Sequence, residues 1–223
     1  MFDLPIPTFV LIAAVVLLPL ALIGGALYAS VLSMSRDDLK LQPVSPDERR
    51  DYYAIVGAHH AFAKSAGFAW VGGYLFSATN TLFVAAWRHQ QLPSYFCIYC
   101  HGATKHFDFV TIYSDDEGLT TASTKDAHTL PHRPGSYVES LPGAQPEELW
   151  AQHRRSMKFI ERNFGLVPGP RNISFEEEIV TAIRGQMAHV RSLFAWPVRG
   201  IFWYLVGRTL KQGRTIEQQY GGK

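Results

Sequence analysis

From Leu4 to Ser35 the chain carries no charged side chain: LPIPTFVLIAAVVLLPLALIGGALYASVLSMS. A helix needs about 20 apolar residues to cross the hydrocarbon core of a bilayer, and this run exceeds that. A cleaved signal peptide has a basic start, an apolar stretch of about 7–15 residues and a small-residue cleavage site. Here only Met1, Phe2 and Asp3 precede the run, and no small-residue pair flanks Tyr28 at the right spacing. Residues 1–35 are therefore expected to stay as a transmembrane anchor. Pro19 removes one backbone bond and should bend the helix. Gly24 and Gly25 are small enough to admit a neighbouring helix.

Flanking charge sets orientation. No Lys or Arg precedes the segment, whereas Arg36, Lys40, Arg49 and Arg50 follow it. The positive-inside rule then puts the bulk of a single-pass protein on the cytoplasmic side. Charged residues make up only 18% of the chain, which agrees with membrane contact. The net charge of +2, with no basic stripe interleaved with aromatics, argues against a nucleic-acid partner.

Beyond a linker at 36–45, residues 46–166 read as an α+β domain. Ser45-Pro46-Asp47-Glu48 resembles a helix start, and apolar spacing carries a helix to Lys64, closed by Gly67. The period then changes. Stretches 67–76, 81–89, 94–101, 107–114 and 118–124 are rich in aromatic and β-branched residues, as strands prefer. The links between the last four are short, so neighbours should be antiparallel: a meander of four or five strands. Asp115, Asp116 and Glu117 would form a solvated hairpin tip. A Pro- and Gly-rich loop follows, in which His128, His132 and Arg133 are expected in solvent. Residues 146–163 then read as a helix, with Leu149, Trp150, His153, Met157 and Ile160 on the face that covers the sheet.

Residues 97–102 spell CIYCHG. The run resembles the C-x-x-C-H attachment signature of c-type haem, and the likeness covers six residues. It supports an alternative reading, a monohaem electron carrier using Cys97, Cys100 and His101. Side chains alternate along a strand, however, so Cys97 and Cys100 should face opposite ways. Two thioether bonds to one porphyrin edge need them on one side. A structural zinc site wants four ligands, and no second close cysteine pair exists. The favoured expectation is therefore no cofactor and no metal, with two buried strand cysteines. His59 and His60, adjacent on a helix, are expected as satisfied core groups. No nucleophile elbow, P-loop, dinucleotide fingerprint or H-E-x-x-H is present.

The remaining residues, 167–223, read as a helical arm. Ser174 with Glu177 makes a capping box. Arg191, Phe194, Trp196, Arg199, Phe202, Trp203, Tyr204 and Arg208 mix aromatic and basic side chains. A second span would put Arg199 near mid-membrane at about 2.5–3.5 kcal/mol on insertion scales. The same mixture suits a helix in the headgroup layer or a partner-binding helix. The tail TIEQQYGGK is polar and expected to fray. Together these features predict a non-catalytic, membrane-anchored module, an accessory or assembly subunit whose partners are the bilayer and other membrane-complex subunits.

Overall fold

A computed structural model describes residues 8–78, 81–113, 117–169 and 173–222, the side chains of 8–13 excepted. Leu4–Pro7, Asp115, Asp116 and part of the linker after Val167 lie outside the described residues. The fold is mixed α+β: a seven-stranded sheet plus a long apolar N-terminal helix. That helix, α1 (Thr8–Met34), is long and apolar enough to cross a membrane.

The expected four- or five-stranded antiparallel meander is corrected in two places. The strands are β1 (Leu41–Pro43), β2 (Phe68–Phe76), β3 (Phe83–His89), β4 (Ser94–His101), β5 (Thr104–Ile112), β6 (Gly118–Ala122) and β7 (Ser136–Ser140), in spatial order β1 to β7. The middle five match the expected segments. β1 comes from the linker; it is three residues long and ends on Pro43, as edge strands do. β7 comes from the Pro/Gly-rich loop and runs parallel to β6. A parallel return needs about a dozen residues or more, and residues 123–135, with a 3-10 turn at Lys125–His128, provide it.

The expected helix 46–64 is two helices, α2 (Arg50–Gly57) and α3 (His60–Ser65). The break after Gly57 lets two adjacent histidines both meet the sheet. His60 Nδ1 accepts the Trp87 indole N–H at 3.2 Å, and His59 stands edge-on to Phe107 with ring centres 4.8 Å apart. α4 (Pro146–Phe164) begins with Glu148 accepting from the Gln145 backbone N–H at 3.4 Å. It stops at Gly165, whose φ of 69° suits a residue without Cβ. Leu149, Trp150, His153, Met157 and Ile160 are all buried beneath it.

The sheet is covered on both faces. α2, α3 and α4 close one face over Phe83, Trp87, Phe96, Ile98 and Phe109. Phe96 and Phe109 stack there at 4.8 Å. On the other face α5 (Phe175–Ser192) sets Phe175, Ile179 and Val180 against Tyr74, Tyr95 and Cys97. Ser174 and Glu177 form the capping box that starts it.

Two α-helical pieces, α6 (Trp196–Phe202) and α7 (Arg208–Lys211), flank a π-helical turn at Trp203–Gly207. The bend before α6 falls at Ala195, in the left-handed region with φ 49°, rather than at Pro197. The tail corrects the expectation of fraying. It forms α8 (Ile216–Tyr220), with Ile216 fully buried beside Met157 and Ile160. Gln219 Nε2 donates to Val138 O (2.9 Å) and Gly213 N–H to Ser140 O (2.7 Å), so the outer edge of β7 is capped.

Candidate functional site

Cys97 and Cys100 lie on β4 and are buried, but in different layers. Cys97 packs under α5 with Tyr74 and Phe175, and Cys100 packs under α2 and α3 with Phe83 and Ile98. His101 is exposed at the strand end. Burial, with Asp108 close by, pushes the Cys97 thiol up, and burial pushes the Cys100 thiol up to about 11. A single haem edge cannot meet two sulfurs on opposite faces of one sheet. Expression in a host that matures c-type haem, followed by a pyridine haemochrome spectrum of the denatured chain, is expected to show no c-type α-band. One haem per chain would overturn that geometry. Among the described residues, no group of three or more His, Cys, Asp and Glu is placed to hold a metal ion.

The arm has two faces. Arg191, Arg199 and Phe202 are exposed, and Phe194 is 87% exposed. Val198 and Leu210 extend that open apolar face. The other face is used within the chain. Trp196 is buried and stacked on Tyr28 of α1 at 5.8 Å. Trp203 donates its indole N–H to His128 O at 2.8 Å. Arg208 pairs with Asp126 at 2.9 Å and lies 4.1 Å over the Tyr204 ring. The structure thus spreads the eight predicted contact residues from the end of α5 through the turn at Phe194 to the start of α7, and divides them between solvent and protein.

That stretch also meets α1. A Cβ on Gly24 would stand 2.9 Å from Ile201 Cδ1, so a larger residue here would push the end of that side chain aside. Leu27, Val31 and Met34 turn toward α5 and α6, packing near Met187, Val190 and Trp196. The outward residues Val15, Val16, Leu17, Leu18 and Leu22 remain exposed.

His128 and His132 are not in a solvated loop. His128 is fully buried, and its Nδ1 lies 2.8 Å from His132 Nε2. Burial holds both imidazoles well below the usual histidine range, with Lys211 adding to the effect.

A cavity of about 390 Å³ lies between the sheet and α5. Its floor is formed by Tyr95, Cys97, Tyr99, Asp108 and Val110; Phe175 and Glu178 of α5 form its roof, and Arg133 sits at the side. Asp108 Oδ1 has no solvent contact and no hydrogen-bond partner. Desolvation pushes its carboxyl up to about 7. Asp108 escaped the sequence reading. The available signal was a single acid in FDFVTIY whose neighbours Phe107 and Phe109 face the opposite layer.

A second polar group is sealed in the core. Ser94 Oγ lies 2.7 Å from Thr111 Oγ1, which lies 2.8 Å from His153 Nε2. His153 Nδ1 lies 2.8 Å from Thr121 Oγ1, which donates to Glu139 at 2.8 Å. Glu139 also accepts from Gln152 Nε2 at 3.1 Å and from the Ile216 backbone N–H at 3.0 Å. Because Thr121 gives its proton to Glu139, His153 must donate from Nδ1 and accept at Nε2. Ser94, Thr111, Thr121, Glu139 and His153 are all buried, so the chain of bonds ties β4 to β7, α4 and α8 together away from any opening.

Comparison of the chain with protein-family models, with curated proteins and with solved structures finds no match.

Proposed function

We propose that this protein is a non-catalytic module held to the membrane at two places, an accessory or assembly subunit of a membrane complex, with its bulk on the cytoplasmic side. The observation that carries this reading is the contact between α1 and α6. It joins two exposed apolar surfaces, that of α1 and that of Phe194, Val198, Phe202 and Leu210, at the level of Gly24. From Thr8 to Gly24 the helix rises about 25 Å at 1.5 Å per residue. That is most of a hydrocarbon core of about 30 Å. Beyond Gly24 one stripe of α1, Leu27 and Val31, is buried against α5 and α6, while Tyr28 and Leu32 stay exposed. The arm then lies at the bilayer surface, with Arg191 and Arg199 available to anionic headgroups.

The test uses the full chain in vesicles containing anionic lipid. Nitroxide labels at Phe194→Cys and Phe202→Cys are expected to collide more with oxygen than with a water-soluble nickel complex. A label at Lys158→Cys, on exposed α4 surface, should show the reverse. Aqueous accessibility at 194 and 202 would remove the surface contact from the reading. Migration as a lone monomer under every mild solubilisation would remove the accessory-subunit role.

A further inference from the structure

We propose that the cavity between the sheet and α5 binds a small organic cation: a protonated amine on an apolar, ring-sized body, with Asp108 as its counter-charge. The inference goes beyond the membrane-module reading and does not depend on it.

Three observations carry it. The volume, about 390 Å³, falls in the range of small-molecule sites, about 300–1,000 Å³. Such sites have apolar walls and few polar groups, and Val110, Ile112, Val138, Phe175 and Ile179 supply walls of that kind here. The second observation is Asp108 itself. Its Oδ1 has neither a partner nor solvent contact, which is costly, and the same side chain lines the cavity, so the carboxyl group stands at the cavity floor. The third is charge. Glu178, 5% exposed, faces the cavity from α5, and Glu117 lines it beside Gly118. Arg133 is the cationic side chain among the lining residues, since burial keeps His132 neutral. Asp126, also in the lining, is already engaged by Arg208. An anion would meet this excess of carboxyl groups, whereas an ammonium offers three donors to them. A metal ion is disfavoured because no three ligating side chains converge among the described residues.

Ionisation agrees with the geometry. Burial, with no neighbouring charge contributing, holds the Asp108 carboxyl up to about 7. The groups around it are Cys97 and Tyr99 from β4, Glu178 from α5 and Arg133 from the crossover. A bound ammonium would stand beside the Asp108 carboxyl group and favour its charged form.

The experiment uses the full-length chain in non-ionic detergent at pH 8, with benzylamine, benzyl alcohol and benzoate as probes of one shape and three charges. Calorimetry is expected to show benzylamine binding at least about tenfold tighter than benzyl alcohol, a difference of one ion pair, and no benzoate binding. Asp108→Asn should erase the amine preference and raise the melting midpoint of the unliganded chain. Val110→Phe, which narrows the cavity without altering charge, should weaken binding of every probe. Equal affinity for amine and alcohol, undiminished amine binding in either variant, or no benzylamine binding to the wild-type chain would each overturn the assignment.

Discussion

Replacing Glu139 by Ala is expected to cost on the order of 3–5 kcal/mol, the size of a buried hydrogen-bond network broken at its acceptor. The Thr121 hydroxyl, the Gln152 amide and the Ile216 backbone N–H all donate to this one carboxyl group. Alanine leaves three buried donors without an acceptor, and the space left behind is walled by a packed helix and sheet. For a chain of this length each kcal/mol moves the melting midpoint by about 2–4 °C, so thermal unfolding should begin about 10 °C earlier. The loss should be uneven. Ile216 opens α8, so amides 216–220 should exchange with solvent first. Glu139→Gln keeps the shape and one acceptor oxygen, and should cost less than half as much. An Ala variant melting within about 2 °C of the wild type would show that the network carries no weight.

Acid should unfold the protein more readily than base. His128 and His153 are buried and His132 is partly so, and desolvation depresses all three, His153 to about 3. In the unfolded chain each takes a proton near pH 6.5. Their contribution to stability is therefore complete above pH 6.5 and is lost as pH falls toward the folded values. Each group loses about 1.4 kcal/mol per pH unit, so by pH 5 the three together lose about 6 kcal/mol. Asp108 works the other way. Its raised carboxyl contributes most stability at low pH and loses it as pH climbs through about 7. Between pH 7 and 5 it returns about 3 kcal/mol, leaving a net loss near 3 kcal/mol that grows below pH 5. Glu139, also raised by burial, adds to the Asp108 side. The melting midpoint should be highest around or above neutral pH and fall steeply under pH 5, given total stabilities of about 5–15 kcal/mol. His153→Gln should flatten the acid limb, and a wild-type midpoint constant from pH 7 to 4.5 would refute the account.

These effects arise in a core that the sequence showed only in part. The five middle strands were legible because aromatic and β-branched runs alternate with turn residues. The second layer was legible in principle. FVAAW on β3 and YFCIYC on β4 are continuously apolar, which is the pattern of strands buried on both faces. An amphipathic alternation would have meant one helical layer; this run required two. β7 was hidden by its surroundings, since Ser136–Ser140 sits in a stretch of Pro and Gly and pairs in parallel with a strand reached by a long crossover. The tail was hidden by its polarity, because one buried Ile216 and a backbone donor to Glu139 anchor an otherwise hydrophilic helix. His153 was visible as part of the α4 face, but its bond chain joins residues far apart in sequence. Asp108 shows the general limit. Alternation assigns its face, while the empty space it borders exists only when α5 lies across the strands.

The stacking of Tyr28 on Trp196 joins an early part of the polypeptide to a late one. About 168 residues separate the two rings, so at about 5–20 residues per second the ribosome needs roughly 8–34 s to deliver the second after the first. Throughout that interval the bare flank of α1 at Gly24 and Leu27 has no mate within its own chain. Until translation reaches α6 that flank lacks the contact it makes in the folded chain, so the growing polypeptide carries uncovered apolar surface for most of its synthesis.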